Sequence, residues 1–346
     1  MRWIREVLAQ PEGGYGASQD ADVGLDDDGD YFTWTREEAA AVLDEEELAL
    51  LSARYDIGTA GEMHHNPSKN VLFVSSSLEE SAAQAGVDAG RAAAVFASGR
   101  SKLISARAAR RAPYVDTSIY TNWNAMLAGA LLQAAPLLDD TWARDHALLT
   151  LDRLRREAAA PDALGHVSGG PPLLLDDQVQ TARAALDAAA LTGDAEWVSW
   201  AVALMDQTWE TFSDPEQPGL LDTPRSRGGE GLLSTPARSI QDAPTPAPNA
   251  IAAITCARLA EWTGEARWGE RRNQIAGAFG HRAGALGLHA AALLMAVDWQ
   301  VSPPTHLVVT GSADDPEASR MHRSALAAFL PRSLIRRLMP GRAEQE

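Results

Sequence analysis

Apolar residues recur at helical spacing through most of the chain, in runs that come in pairs joined by short turns. Two amphipathic helices joined by a turn of a few residues must pack antiparallel to bury their apolar faces, so each pair predicts a helical hairpin. The three pairs cover residues 121–158, 177–212 and 249–280. Further helical runs lie near residues 36–56, 78–110, 286–298 and 316–329. The pattern predicts a mainly α protein.

The turn inside the hairpins is a repeated motif. Leu191–Trp197 (LTGDAEW) recurs as Trp262–Trp268 (WTGEARW), and Leu138–Trp142 (LDDTW) is a fainter third copy. Glycine suits the left-handed position that ends a helix, an acid favours the start of the next helix, and tryptophan can pack on its first turn. The motif predicts tight helix-to-helix turns.

The links between the hairpins are long and rich in Pro, Gly and Asp, at residues 111–120, 159–176 and 213–248. If the hairpins stack side by side, these links all emerge at one end, and long loops in a domain are commonly functional. Repeated hairpins either close into a toroid or extend as a solenoid. The irregular spacing and the long links favour an (α/α) toroid, with the site at the long-loop end.

Three segments break the helical pattern. Residues 14–34 place an acidic Asp-Gly turn between two extended stretches, which predicts a β-hairpin. A short strand is expected at Val71–Val74 and a terminal strand at residues 306–310. We expect a single toroid domain over residues 1–330 and a C-terminal tail over 331–346, frayed at its end.

Composition narrows the classes of partner. The 346 residues carry a formal net charge of −17, so nucleic acid and anionic membrane surfaces are disfavoured. No apolar run approaches the roughly 20 residues of a membrane span. Cys256 is the one cysteine, so no intrachain disulfide is expected. Met1–Gln10 predicts an amphipathic helix rather than a signal peptide, which favours a cytoplasmic protein.

Carboxylates cluster at the predicted long-loop end. Acids supplied by different segments a few ångströms apart suit acid/base chemistry on a sugar. The candidate catalytic acids are Asp20, Asp22, Asp116, Asp176 and Asp177. The first two share one side of an extended segment, where a solvated face explains them equally well. Asp177 has capping-box spacing to Gln180, so it also has a structural explanation.

Aromatic and amide side chains at the same end complete the candidate substrate site. Trp34 and Trp123 offer faces on which a sugar ring could stack, and Asn124 and Asn249 offer amides for its hydroxyl groups. His65 is expected to line the cleft. Helix caps and a core tryptophan are the alternative explanation for Trp123, Asn124 and Asn249.

Metal sites are not expected. Asp26, Asp28, Asp30 and Glu37 occupy positions 1, 3, 5 and 12 of a calcium-loop pattern, but the position that needs glycine holds Tyr31. His64 and His65 are adjacent and diverge, with no matching ligands one helical turn away. We therefore expect neither a metal nor a cofactor.

Several motifs, in order along the chain, resemble one known family. They are Pro11–Tyr15 (PEGGY) with Ser18–Asp22 (SQDAD), Lys69–Leu72 (KNVL), Trp123–Asn124, Leu175–Asp177 (LDD), Asp242 with Pro246 and Asn249, and Pro303–Pro304. The chain, from residue 1 to about 330, resembles the back half of the YyaL-like (spermatogenesis-associated protein 20-like) family of thioredoxin-domain-containing proteins.

The resemblance implies a fold and two alternative functions. Family members are similar to N-acylglucosamine 2-epimerases and six-hairpin glycosidases, which implies an (α/α)6 toroid that binds a small carbohydrate and acts as an epimerase, isomerase or hydrolase. The motifs depart from the family at Ala125, Thr117–Ser118, Gln178 and Ala247–Pro248. These departures favour the alternative of a catalytically degenerate binding or assembly module.

The resemblance also implies a partner. The family's thioredoxin-like domain and first toroid hairpins have no counterpart in this sequence, so the toroid is expected to be incomplete. Apolar helix faces left open must be covered. We expect a homodimer, or a partner chain that supplies the missing half of the toroid and the thioredoxin-like domain.

Overall fold

Antiparallel helical hairpins dominate the structure, a computed structural model. It describes residues 1–27, 29–158, 163–167, 170, 173–224, 237–312, 314–328 and 330–338. The chain divides into two units, one formed by Met1–Ala17 with Ser118–Glu346 and the other by Ser18–Thr117. The single domain expected over residues 1–330 stays a prediction.

The larger unit contains the three predicted hairpins. Their helices are α5 (Thr121–Leu138) with α6 (Thr141–Arg156), α7 (Leu175–Thr192) with α8 (Glu196–Phe212), and α9 (Pro248–Thr263) with α10 (Ala266–Phe279). The helices that follow are α11 (Ala283–Leu286), α12 (Ala291–Val301) and α13 (Pro316–Ala327). Between α8 and α9, the short strands β3 (Ser213–Asp214) and β4 (Gln217–Leu220) pair antiparallel. In each hairpin the two helices pack on each other, and α5, α7, α9 and α12 also pack side by side in that order. This inner row with outer partners is the (α/α) toroid arrangement, so the predicted fold class is confirmed.

Small side chains set how closely the inner helices approach. The middle helix α7 is buried around nearly its whole circumference, with Ala182, Ala185 and Ala188 fully buried. On α5, Gly129 faces α7 so closely that an added Cβ would lie 3.6 Å from the Cβ of Ala184. Alanine and glycine at these contacts let the backbones approach while the helices keep their hydrogen bonds.

The hairpin turns follow the repeated motif. Gly193 and Gly264 end α7 and α9 with φ angles of 73° and 72°, the left-handed conformation that glycine adopts without steric cost. In the faint third copy Asp139 takes this position, with φ 50°. The prediction of tight, glycine-ended turns is confirmed.

A strand pair closes the described part of the larger unit. Strand β5 (Thr305–Thr310), predicted near residues 306–310, pairs in parallel with β6 (Ser333–Leu338). β6 lies within the stretch expected to be a tail, and that expectation is wrong for these residues. Its buried side chains, Leu334 and Ile335, are adjacent rather than alternating, so the sequence carries no strand pattern. The frayed end expected from residue 340 lies outside the described residues.

The smaller unit has its own core. Its helices are α1 (Arg36–Ala40), α2 (Glu45–Tyr55), α3 (Leu78–Ala85) and α4 (Ala89–Ala108). Trp34, Leu50, Leu51 and Ile57 are among the core residues that they cover. The two long helices predicted here are each broken. Asp44 caps the start of α2, and Gly86 with φ 71° ends α3, so local caps override the continuous apolar pattern.

The β-hairpin predicted for residues 14–34 does not form in the described residues. Instead β1 (Ser18–Gln19) pairs antiparallel with β2 (Val115–Asp116). Asp22 accepts the Gly29 N–H at 2.9 Å, and Asp27 accepts those of Val23 and Asp30 at 2.6 and 2.7 Å. These aspartate side chains compete with strand pairing for the backbone donors and fold the segment into a loop. Val71–Val74 also lacks the expected strand, with one isolated bridge at Asn70.

One helical stretch, Ala266–Val301, is long and apolar enough on average to meet a membrane-span criterion. It is interrupted by short 3-10 helices at Gly280–Arg282 and Gly287–Ala290, and Gly287 has φ 57°. Its longest α-helix has 14 residues, below the roughly 20 that a span requires. The stretch is therefore weak evidence for a membrane segment.

Asn70, in the Lys69–Leu72 motif, ties three loops of the smaller unit together. Its amide nitrogen donates to the carbonyl oxygens of Trp34, Gly58 and Ser68 at 2.9 to 3.1 Å, and its oxygen accepts the Gly58 N–H at 3.0 Å. The side chain is fully buried. This part of the motif therefore has a structural role.

We predict that Asn70→Ala lowers the free energy of unfolding by about 2 to 4 kcal/mol, because several buried backbone groups lose their partners. The matched control is Asn273→Ala, whose side chain is exposed on α10. Urea titrations followed by circular dichroism measure both variants. Equal stability of the two would contradict this account of the motif.

Candidate functional site

The first turns of α5 and α7 meet at two adjacent carboxylates. The backbone N–H of Asn122 donates to Asp177 at 3.0 Å, and the Asn122 side-chain amide donates to Asp176 at 2.8 Å. The N-cap residues of the two helices, Tyr120 and Leu174, make no side-chain hydrogen bond to the helices that they precede. Asn122 therefore joins the starts of two inner helices to both acids at once.

Asp177 is the most perturbed acid of this group. Its side chain is fully buried, and Nδ1 of His166 lies 3.2 Å from both carboxylate oxygens. Burial raises the pKa of Asp177 to about 7, although His166 and the Asn122 N–H act in the opposite direction. A carboxyl with this pKa can gain or lose a proton near neutral pH. The capping box expected between Asp177 and Gln180 is wrong, since the carboxylate faces α5 and His166.

Asp176 is less buried and accepts two amide hydrogen bonds. Asn122 donates to one carboxylate oxygen at 2.8 Å, and Gln180 donates to the other at 3.1 Å. Burial raises the pKa of Asp176, and these two hydrogen bonds oppose the shift. The site thus holds two carboxyls in different surroundings, the condition under which one can act as an acid and the other as a base.

An aromatic wall lies beside the acids. The Tyr120 ring is 5.3 Å from the His166 ring and 5.1 Å from the Trp123 ring. Trp123 is 49% exposed, unlike a core tryptophan. An open aromatic face next to hydrogen-bonding groups is suited to stacking on a sugar ring.

His166 is the residue that the sequence analysis missed. It lies in the link before α7, and its carbonyl oxygen accepts the Thr121 N–H at 2.9 Å. Gln178 holds the same link by exchanging two hydrogen bonds with the backbone of Leu164, at 3.0 and 2.6 Å. The available signal was a single histidine in a Gly- and Pro-rich link that leads into Asp176 and Asp177.

Asn124 and Asn249 use their amides within the protein. Asn124 accepts the Tyr15 N–H at 2.7 Å and donates to the carbonyl oxygens of Tyr15 and Tyr120. Asn249 accepts the Leu220 N–H at 2.8 Å and donates back to Leu220 at 2.9 Å. Both are buried, at 2% and 0% exposure. Each amide holds a distant backbone segment, at Tyr15 or Leu220, against the first turn of its helix. Contact of either amide with a substrate stays a prediction.

The remaining candidates lie in the smaller unit, and their grouping with Asp176 and Asp177 stays a prediction. Asp20 and Asp116 belong to the region of the β1–β2 pair, where the Asp20 N–H donates to Tyr114 at 2.8 Å. Asp22 accepts the Gly29 N–H. The His65 ring, which is exposed, lies 5.2 Å from the ring of His64.

Trp34 is a core residue of the smaller unit. It is 3% exposed, and the guanidinium group of Arg110 lies 4.0 Å from the centre of its ring. This packing argues against the predicted stacking on a sugar ring. The Trp34 ring instead makes a cation–π contact with Arg110 and packs in the core of the smaller unit.

The acidic loop has a structural explanation. Asp22 and Asp27 accept backbone N–H groups, Asp30 lies 3.4 Å from Lys69, and Asp28 lies outside the described residues. No group of three or more His, Cys, Asp or Glu residues in the described part of the chain is placed to hold a metal ion.

The raised pKa of Asp177 predicts a pH dependence of stability. The folded state keeps this proton up to about pH 7, whereas the unfolded chain loses it near 3.8. Between these values the folded state binds more protons, so this group lowers the free energy of unfolding as pH rises and has no further effect above pH 7. Asp177→Asn, which is neutral throughout, removes that contribution.

Urea titrations across this pH window check the prediction. The difference in unfolding free energy between Asp177→Asn and wild type should shift in favour of the variant as pH rises. Asp152→Asn, at an exposed position on α6, is the control and should show no such trend. Parallel pH profiles for Asp177→Asn and wild type would show that the carboxyl is not perturbed.

Sequence comparison gives relatives of one kind. No protein-family model matches the chain. It is 22% identical to spermatogenesis-associated protein 20 of Mus musculus over 370 residues, and 23% identical to that of Homo sapiens over 372 residues. Each alignment covers 97% of this chain and 47% of the relative. The chain thus spans about half the length of these relatives.

Solved structures with a similar arrangement include glycoside hydrolases. They include a GH76 alpha-mannanase of Bacteroides thetaiotaomicron, with 11% identity and a TM-score of 0.44 over 63% of this chain and 58% of that one. The GH76A alpha-1,6-mannanase of Salegentibacter sp. HEL1_6 has 14% identity and a TM-score of 0.41 over 82% and 84%. Unsaturated glucuronyl hydrolase of Bacillus sp. GL1 has 16% identity and a TM-score of 0.40 over 85% and 83%.

Scores and identities this low do not establish a shared site. The sequence relatives agree with the family resemblance that the ordered motifs predict. The chain is similar over nearly its whole length to spermatogenesis-associated protein 20, of which it spans about half.

Proposed function

We propose that the chain is a carbohydrate-active domain that binds a sugar against Trp123 and transfers protons through Asp176, Asp177 and His166. The observation that supports this most is the buried Asp177 carboxyl, with a pKa of about 7, held between His166 and Asn122 beside an open tryptophan face. Proton donors and acceptors work best when their pKa lies near the working pH.

His166 and Asp177 have the geometry of an oriented acid/base pair. The Asp177 carboxyl faces Nδ1 and fixes the ring orientation, and in its ionised form it favours the tautomer with the proton on Nδ1. Nε2 is then the atom that exchanges a proton with the substrate. The Asp177 carboxyl in turn stabilises the charged ring that forms when Nε2 gains a proton.

Two reaction classes use such groups. In hydrolysis, an acid protonates the glycosidic oxygen as its bond to the anomeric carbon breaks, and a base takes a proton from the water that adds to that carbon. In epimerisation, one group removes a proton from a carbon next to a carbonyl and another returns a proton on the opposite face. Asp176 is the second group in either case.

A binding or assembly module is the second candidate. It is favoured by the complete burial of Asp177 and by its hydrogen bond from the Asn122 backbone, which together give the carboxyl a structural role. In this account the module pairs with a second copy or with a thioredoxin-like partner chain. For both functions we propose a cytoplasmic location.

Sugar binding is predicted to depend on Trp123. Trp123→Ala should weaken the binding of a stabilising mono- or oligosaccharide by about tenfold, because the stacking face is lost. Trp3→Ala is the matched control, since Trp3 is 48% exposed and is far from the acids in sequence. Sugars that raise the melting temperature of the wild type are chosen first. Calorimetric titration then measures their affinity for the wild type and for both variants. A panel of sugars that leaves the wild type unchanged at millimolar concentrations would exclude sugar binding.

Turnover is predicted to depend on the acids and the histidine. Asp176→Asn and His166→Gln should lower kcat at least about a hundredfold, the usual contribution of a general acid or base, with little change in sugar affinity. Release of reducing sugar and exchange of solvent deuterium into the sugar distinguish hydrolysis from epimerisation. Wild-type binding without either signal would instead support the binding module.

A further inference from the structure

A cavity of about 520 Å³ lies away from the candidate site, among the C-terminal halves of the inner helices. Asp187, which lines it, is ten residues after Asp177 on α7, a rise of about 15 Å along the helix. Strand β6 and the segment after α13 contribute the other wall, through Arg332 and Ile335. The volume falls in the range of small-molecule sites.

A built ion pair lines this cavity. Arg258 donates to Asp187 at 2.8 Å, and their side chains are only 13% and 9% exposed. Gln133 donates to the other Asp187 oxygen at 3.1 Å. An added Cβ at Gly129 would lie 3.2 Å from that oxygen, so a larger residue there would crowd the carboxylate. Buried ion pairs of this kind seldom maximise stability, which makes a role in ligand recognition worth testing.

Arg183 adds a cation that the ion pair does not neutralise. It lines the cavity half-buried, and no carboxylate among the described residues is within ion-pair distance of it. Arg332, also in the lining, is paired with Asp298. The three arginines and two aspartates of the lining leave one positive charge in excess, in a chain whose net charge is −17.

The rest of the lining is largely apolar. Trp299, Met295, Ile254 and Leu132 supply an aromatic ring and flexible or branched side chains. One excess positive charge suits a monoanion better than a phosphate dianion, and a guanidinium binds a carboxylate through two parallel hydrogen bonds. The apolar walls suit a flat ring attached to that carboxylate.

We propose that this cavity is a second ligand site, which binds a small monocarboxylate with an aromatic ring. The carboxylate pairs with Arg183, and the ring packs against Trp299 and Met295. The site is independent of the sugar chemistry proposed for Asp176 and Asp177, since it uses other residues on other turns of the helices.

The test compares indole-3-acetate with indole-3-acetamide, which has the same ring but no charge. Calorimetry on the full chain should show that indole-3-acetate binds at least about tenfold more tightly than indole-3-acetamide. Arg183→Gln should remove this preference and leave amide binding unchanged. Arg100→Gln, at an exposed position on α4, is the matched control and should keep it. Asp176→Asn should also keep it, which separates this cavity from the sugar site.

Melting temperatures of the variants confirm that each is folded before titration. The proposal is overturned if the folded wild type does not bind indole-3-acetate, or if it binds indole-3-acetate and indole-3-acetamide equally. It is also overturned if Arg183→Gln keeps the preference for indole-3-acetate. Loss of the preference in Asp176→Asn would do so too, because it would assign the ligand to the other site.

Discussion

The hydrogen bond from the Asn122 backbone to Asp177 is the contact on which the candidate site depends. The N-cap residues of α5 and α7, Tyr120 and Leu174, make no side-chain hydrogen bond to these helices, so the first N–H groups need other partners. The Asp177 carboxylate on α7 accepts a hydrogen bond from one of these groups, the Asn122 N–H on α5. Asn122 then reaches back to Asp176, so the two inner helices begin at the same polar cluster.

The buried Asp177 side chain affects both the stability of the fold and the chemistry of the site. Burial is what raises the pKa of Asp177, and a carboxylate in water would titrate near its ordinary value and be ionised at neutral pH. The same burial makes the ionised form costly to the folded state. Functional sites commonly hold groups that would not be selected for stability alone, and the His166–Asp177 contact fits that pattern.

The helices of the larger unit could be predicted because their signals are local. Apolar spacing placed the three hairpins, and Gly193 and Gly264 marked their turns, since glycine satisfies the left-handed helix end wherever the helix lies in the fold. Breaks in the smaller unit were missed because short caps at Asp44 and Gly86 interrupt apolar runs that continue across them. β6 was missed because Leu334 and Ile335 are adjacent rather than alternating.

The site could be predicted only in part, because its decisive contacts join residues far apart in the chain. Asp176, Asp177 and Trp123 were nominated by their positions at helix starts, and the structure brings them together. The Asp177 capping box has correct spacing, but the contact with Asn122, 55 residues away, takes its place. The sequence signal for His166 is limited to its place in the link before Asp176 and Asp177, and the burial of Trp34 under Arg110 depends on a residue far along the chain.

Titration of the aspartate carboxyl carbons by NMR, in wild type and in Asp177→Asn, tests the central claim most directly. One resonance is expected to titrate at about pH 7 in the wild type and to be missing from the variant. If every aspartate resonance of the folded wild type titrated near the ordinary value of 3.8, Asp177 would not be the buried, proton-exchanging group described for this site.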